Sequence, residues 1–418
     1  MKKKILYISY HYPPSNSIAS NRSFNQVTAL RRLGHTVKVI HANVDHSRYI
    51  ENLYHLEHSD NLSLPVNRGS LNHLYNQSFG LKNFILTKFP NKLLIFINSL
   101  KILLVGDQRD WNTDHNFSVA LGWLQEFTPD LLISTSGPIE NHFFCSRFKK
   151  LYGCYWLAEY RDSWSYDPMQ PGASPTSLAS TLCRLKESSA IRDVDLILAV
   201  SPVIHEYYQT YFDKKSFLML AGWIDFEGRL PNPIHIQKCA GSKKNILHLG
   251  SMLLGKRSPI PLINLFENNE KLRQAYDLYF IGRDTHLFHN HLNNTHHAKD
   301  SVQLINEIDS TQARAEGLSA DILLLLMMDH PGERHVVTGK IYEYIFLNKP
   351  IVVLDFQYSE ASKIVQKYEF GYTCKSIDEL EALLIKLSQD DQIISPSIAN
   401  RNLFNVENAI NALIRFIG

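Results

Sequence analysis

Ile5-Leu-Tyr-Ile-Ser9, the loop His11–Ser20, a run ending in Leu33-Gly34, and Thr36-Val-Lys-Val-Ile40 together decide the fold. Ile5–Ser9 is short and almost wholly apolar, as a strand covered on both faces of a parallel sheet is. Phe24, Val27, Leu30 and Leu33 recur at helical spacing, and Gly34 supplies a stop just beyond the last of them. Thr36–Ile40 is a second strand. Strand, helix and strand in that order make a βαβ unit, the opening of a Rossmann-like domain. The leading Met1-Lys-Lys-Lys4 imitates the start of a signal peptide. The apolar run behind it is too short and Pro13-Pro14 follow, so a strand is the better reading.

The same alternation continues downstream. Asp130-Leu-Leu-Ile-Ser134, Cys154-Tyr-Trp-Leu-Ala158 and Asp195-Leu-Ile-Leu-Ala-Val200 read as strands separated by helical stretches. Residues 43–115 have weak periodicity and read as an irregular insertion with some helices. Gly222–Ser242 holds Pro231, Pro233 and Gly241 and reads as a linker. A second unit then opens with Lys244-Asn-Ile-Leu-His-Leu-Gly250. It continues through Tyr279-Phe-Ile-Gly282, Ala320–Leu326, a helix from Thr338, Pro350–Leu354, and helices over Glu379–Leu387 and Ala399–Ile417. The expected organisation is a first domain over 1–221, a linker over 222–243 and a second domain over 244–400. A terminal helix over 401–418 is expected to cross back to the first domain. Two open parallel sheets bind ligands outside the carboxyl ends of their strands, so a shared cleft is the expected place for one.

The 418 residues carry 43 Lys and Arg against 41 Asp and Glu, a net charge of +2, which gives no signature of nucleic-acid binding. Five scattered cysteines without a Cys-x-x-Cys pair argue against a disulfide framework and fit a reducing cytoplasm. No uninterrupted apolar run of about 18 residues occurs, so no membrane-spanning helix is expected. Residues 81–104 mix lysines with Phe, Leu and Ile. They read either as an interfacial amphipathic segment touching a membrane or as an inserted helix packed on the first domain. The His-rich stretch 286–297 lacks a recurring metal-ligand spacing and is not promoted to a metal site.

Three segments carry chemistry. In Thr338-Gly-Lys-Ile-Tyr-Glu-Tyr-Ile-Phe-Leu-Asn-Lys-Pro-Ile351, a helix start at Thr338-Gly339 offers unpaired N–H groups to phosphate oxygens. Lys340 adds a point charge, and Glu343 one turn on can accept ribose hydroxyls. In His248-Leu-Gly-Ser-Met-Leu-Leu-Gly-Lys-Arg-Ser-Pro259, Gly250, Ser251 and Gly255 permit close approach of a ligand. Lys256 and Arg257 there form either a grip on an anion or a solvated basic loop. In Glu159-Tyr-Arg-Asp-Ser-Trp164, Arg161 and Asp162 follow a strand. They form either a structural bridge or an acceptor-side pair. In the first loop Ser15, Ser17 and Ser20 are small, and Arg22 on the first helical turn either reaches an anionic ligand or is solvated.

In order and spacing these segments resemble the family 4 retaining glycosyltransferases of the GT-B fold, in particular a polysaccharide-assembly branch. Asp107, Trp111, Ser134–Pro138, Ser201-Pro202 and Ala221–Asp225 fall at matching places, and only about 45–105 is left out. The resemblance implies two Rossmann-like domains facing across a cleft, with a nucleotide diphosphate sugar as co-substrate, no bound metal and no other cofactor. It assigns Lys256, Arg257 and the Gly339–Lys340 helix start to the diphosphate, and Glu343 to the nucleotide. Asp162 and Arg161 become the catalytic candidates, with the first loop near the acceptor. The acceptor would be a glycan or a lipid-linked glycan in surface polysaccharide or lipopolysaccharide synthesis, at the inner face of the cytoplasmic membrane. The family's first glutamate, eight residues before Glu343, is replaced here by His335, next to Glu333 and Arg334. A sugar-nucleotide epimerase, a phosphorylase, or a non-catalytic nucleotide-sugar-binding subunit are the alternatives.

Overall fold

The computed structural model describes residues 2–15, 17–43, 58–66, 111–168, 174–220, 222–225, 230–237, 243–252, 257–389, 394 and 396–418. The chain divides into two compact units, Met1–Leu220 with Val406–Gly418, and Ala221–Asn405.

The first unit contains β1 (Lys4–Ser9), α1 (Ile18–Arg32), β2 (Thr36–Asn43), β3 (Asn61–Pro65), α2 (Asp114–Leu124), β4 (Leu131–Thr135), α3 (Glu140–Tyr152), β5 (Tyr155–Tyr160), α4 (Leu178–Ala190), β6 (Leu196–Ala199), α5 (Pro202–Phe212) and β7 (Ser216–Leu218). The sheet order is β3-β2-β1-β4-β5-β6-β7, with every pair parallel. Central β1 aligns Ile5 with Val37 on one side and with Leu131 on the other. Its residues from Ile5 to Ser9 are all buried, which is why the run carries no polar alternation. Leu6 and Ile8 join Leu132, Phe144, Phe148 and Trp156 in the core under α3.

The second unit contains β8 (Lys244–Leu249), α6 (Ile260–Asn268), α7 (Glu270–Ala275), β9 (Tyr276–Ile281), α8 (His289–Asn293), β10 (Val302–Ile305), α9 (Ser310–Ser319), β11 (Ile322–Leu326), α10 (Gly339–Leu347), β12 (Ile351–Leu354), α11 (Glu360–Lys367), β13 (Gly371–Cys374), α12 (Ile377–Gln389) and α13 (Ile398–Asn402). Its parallel sheet runs β10-β9-β8-β11-β12-β13. Both sheets therefore reverse direction of growth once, beside β1 in the first and beside β8 in the second. That is the doubly wound pattern, and it leaves a crevice at the strand ends of each reversal.

Two expectations need correction. Ala399–Ile417 is not one helix: α13 ends and α14 (Val406–Phe416) begins after a break. Phe404 in the break is buried against Tyr368 and Phe370, and Asn405 bridges to Trp223. Burying that phenylalanine favours turning the chain over continuing the helix. The stretch read as an irregular insertion contains β3, an edge strand paired to β2.

Helix α14 buries Val406, Ile410 and Leu413, one face at helical spacing, and packs on α1. Arg32 pairs with Glu407 at 2.7 Å, and the Phe217 and Phe416 rings lie 5.3 Å apart. No helix among the described residues is long and apolar enough to cross a membrane.

The segment Ile234–Ile236 is fixed to α9 by a single carboxylate. Glu316, fully buried, accepts the backbone N–H groups of Ile234, His235 and Ile236 at 2.7, 3.1 and 2.9 Å, and Gln312 at 2.9 Å. Burial opposes its charge, but the donors outweigh burial and hold its carboxyl below the ordinary range. A carboxyl shifted down stabilises the fold above its unfolded value of about 4.3 and loses that contribution as pH falls. Glu316→Gln is expected to lower stability by about 2 kcal/mol at neutral pH. Thermal melts should show the gap to wild type closing in acid.

Candidate functional site

The reversal in the second sheet brings the ends of β8 and β11 together with the start of α10. Gly250, directly after β8, has φ +128 and donates its N–H to Ile281 at 2.8 Å. A Cβ there would collide with Cε and Nζ of Lys340, so the lysine lies across the glycine backbone. The residue is glycine for two reasons, its backbone angle and that close approach. Lys340 ends 3.3 Å from Nε2 of His248. His248 is fully buried, and its Nδ1 lies 2.9 Å from the Leu324 carbonyl. A carbonyl only accepts, so Nδ1 carries the proton and Nε2 presents a lone pair to the lysine. Burial, with Lys340 alongside, holds the ring well below its usual pKa and hence neutral.

Tyr344 fastens this corner. Its hydroxyl accepts from the Leu249 N–H at 2.9 Å and donates to Leu324 at 3.1 Å, tying α10 to β8 and β11. Thr338 stands at the N-cap of α10 with no side-chain capping bond, so the first helical N–H groups are not taken up by it.

Arg257 and Glu333 complete the cluster. Arg257 Nη2 donates to Glu333 Oε1 at 3.2 Å, and Glu333 is fully buried in the turn Pro331–His335. Oε1 also accepts from Met328 N–H at 3.3 Å, while Glu333 Oε2 and Arg257 Nε find no partner among the described residues. Burial of Lys340, with Arg257 nearby, pulls the lysine down to about 7 against a partial offset from Glu333. A buried charged group left unfinished is costly, so these orphaned atoms mark a place suited to a ligand.

Glu343, on the next turn of α10, is half-buried and held by Arg314. It binds Arg314 through two contacts, Nε at 2.5 Å and Nη2 at 3.3 Å. Ser251 is partly buried beside Gly250, whereas Gly255 and Lys256 lie outside the described residues. The segment 81–104 and Asp107 lie outside them as well.

In the first unit the corresponding reversal gathers hydroxyls. Ser9 Oγ lies 3.0 Å from Ser23 Oγ and 3.1 Å from Thr135 Oγ1. Arg22 is mostly withdrawn from solvent: its Nε pairs with buried Glu159 at 2.7 Å, and Gln26 joins the same oxygen at 2.6 Å. The loop turns through a cis Pro13–Pro14 bond, and none of its described residues takes a positive φ. Ser15 donates its N–H to Tyr12 at 3.1 Å. Ser17 caps α1 by accepting from Ser20 N–H at 3.1 Å, and Ser20 Oγ is buried without a partner among the described residues.

Arg161 binds Ser136, by N–H to Oγ at 3.2 Å and by Nη2 to the carbonyl at 3.1 Å, rather than bridging to Asp162. Asp162 stays exposed at the end of β5. Its crowded surroundings raise its carboxyl, Arg161 lowers it in part, and Asp167 adds to the rise. The loop behind it is anchored on fully buried Glu187, which accepts from Ser165 Oγ and from Tyr208 OH at 2.5 Å. Trp111 is an anchor too, donating to Asn141 at 2.9 Å.

Sequence reasoning placed Arg257, Lys340, Gly250 and the Thr338–Gly339 helix start, and the structure brings these together. It passed over His248, Glu333 as Arg257's partner, and Arg314. Its one available signal was a histidine in the middle of an otherwise apolar strand. The His-rich stretch is organised by structural contacts: Glu267 accepts the N–H groups of His296, His297 and Ala298, and His291 bonds Asn264. Among the described residues no three His, Cys, Asp or Glu side chains converge to hold a metal.

No family model matches the chain, and no curated protein does. Solved structures do. A sucrose-phosphate synthase of Thermosynechococcus elongatus superposes with TM-score 0.62 at 14% identity, covering 100% of this chain and 99% of that one. HepE of Anabaena, solved with UDP, gives 0.59 at 12% identity with 99% of each chain covered. A UDP-N-acetylglucosamine 2-epimerase gives 0.54 at 12% identity, covering 100% and 96%. With its two parallel sheets of seven and six strands, the chain has the GT-B fold these proteins share.

Proposed function

We propose that the chain is a glycosyltransferase that takes a sugar from a nucleoside diphosphate donor. The observation that carries this reading is the convergence of Arg257, Lys340, the uncapped start of α10 and the Gly250 turn at one strand reversal. Two cations and free N–H groups suit a diphosphate, and they neutralise the charge that develops as it leaves. That supply of positive charge makes a bound metal unnecessary. Lys256, the neighbour of Arg257 in the sequence, and Ser251, the neighbour of Gly250, are the further residues assigned to the diphosphate. Glu343, positioned by Arg314, accepts ribose hydroxyls of the nucleotide.

The acceptor is a glycan or lipid-linked glycan of a surface polysaccharide, bound on the first unit near Asp162 and the Ser15–Ser20 loop. Transfer retains the anomeric configuration. The bond from sugar C1 to phosphate breaks, the acceptor oxygen bonds to C1 on the same face, and its proton goes to the departing phosphate. Asp162 orients the acceptor hydroxyl, and Arg161 holds that loop on Ser136. Such a reaction places the protein at the cytoplasmic side of the membrane that carries the acceptor. UDP bound to HepE supports a nucleoside diphosphate site on this fold, and the epimerase keeps open a second use of the same donor.

A panel of nucleotide sugars tests the reading by thermal stabilisation, since a ligand bound to the native state raises its apparent stability. One donor should stabilise the chain, and Lys256→Ala with Arg257→Ala should abolish the shift. An unchanged shift removes this pair from the site. Asp162→Asn should leave the shift intact and lower transfer about 100-fold. Normal transfer by that variant would dismiss Asp162, and turnover without any acceptor would favour the epimerase.

A further inference from the structure

We propose that His248 is a positioning residue of the diphosphate site, and that the anion binds together with a proton taken up by Lys340. The inference rests on the diphosphate reading of that site.

Lys340 is held from three directions. His248 at the end of β8 accepts from it at 3.3 Å, Arg257 repels it, and Glu333 of the turn after β11 attracts it. On its own helix, Glu343 is already occupied by Arg314. Among the described residues the nearby anion is Glu333, and Arg257 shares it. Burial and the second cation outweigh the charge of Glu333, which is why the lysine is pulled down to about 7. A diphosphate supplies that charge and makes the ammonium form the favoured one. Above neutral pH, binding therefore draws a proton from solvent onto Nζ.

His248 cannot supply the positive charge itself. Its single ring proton is committed to Leu324, and burial keeps it neutral. What it offers is a fixed lone pair that keeps Nζ over Gly250. Leu324 retains Tyr344 as a donor if the ring is changed, so a variant at 248 does not strand that carbonyl.

Isothermal titration at pH 8 with UDP, ADP, GDP and CDP, in two buffers of different ionisation enthalpy, counts the proton. The best ligand should bind with uptake of about one proton, and its affinity should fall roughly tenfold per pH unit above 7. Lys340→Met should bind weakly and take up none. His248→Phe keeps the ring shape without the acceptor and should weaken binding about tenfold. His248→Gln returns an acceptor and should recover most of that loss. Binding without proton uptake overturns the proton coupling, and His248→Phe binding like wild type overturns the positioning role. If His248→Phe fails to fold, persistent uptake in Lys340→Met overturns the inference instead. If none of the four nucleotides binds, the diphosphate reading itself has failed, and this inference with it.

Discussion

Lys340→Met is expected to cost the protein its donor while leaving the fold intact or firmer. The methionine keeps the length that crosses Gly250 and drops the charge. A charge-assisted contact to phosphate in a water-poor site is worth about 3 kcal/mol, so binding and transfer should fall between about 100-fold and 1000-fold. Stability should move the other way, because the native state holds this lysine at about 7. The unfolded chain binds the same proton up to about pH 10. Between those values the unfolded state carries more protons, so wild-type stability rises with pH across that window. The variant should lack the rise and be the more stable protein at pH 6. Melts at pH 6 and pH 9, alongside titration with nucleoside diphosphates, check both halves. A variant that binds normally would end the assignment of Lys340.

Gly282→Ala should do the largest structural damage. Gly282 follows β9, and a Cβ on it would run into the carbonyl of Gly250, whose N–H is bonded to Ile281. Backbone cannot swing aside as a side chain does. Overpacking of this kind costs about 3 kcal/mol. In a unit of this size that is a fall of roughly 10 °C in melting temperature. Because the obstructed carbonyl belongs to the Gly250 turn, binding of the proposed donor should weaken as well. A melt unchanged within about 2 °C would show that the turn can relax, contrary to the tight packing described.

What could be read in the sequence follows from where each strand lies. Every strand recognised there (β1, β2, β4, β5, β6, β8, β9, β11 and β12) is interior to its sheet. Those that escaped, β3, β7, β10 and β13, are the four edges. An interior parallel strand is covered on both faces and has a neighbour on each side, so it reads as an apolar run. An edge is short and partly wet: Gln303 is exposed in β10, and Tyr372 and Thr373 are only half-buried in β13. Helix α9 was missed for a related reason. Its inward face is built on Gln312 and Glu316, which serve a loop rather than a core, so its apolar periodicity is faint.

The site divides in the same way. Arg257 stands in the loop that follows β8 and Lys340 at the start of α10, the end of the sheet where the topology itself says ligands go. Glu333, His248 and Arg314 owe their importance to partners 76, 92 and 29 residues away. No local spacing encodes such pairings. The resemblance puts a glutamate at position 335, where this chain has histidine; Glu333, two residues earlier, is fully buried.

Helix α14 completes the first unit only after all of Ala221–Asn405 has been made. On the ribosome, then, the second unit is finished while α1 still waits with one flank bare. The ends of the second unit are stitched together by Gly222 N–H to Phe404 and by the Trp223–Asn405 bridge. In nascent chains the flank of α1 that α14 covers should accordingly be the last part of the first unit to gain protection.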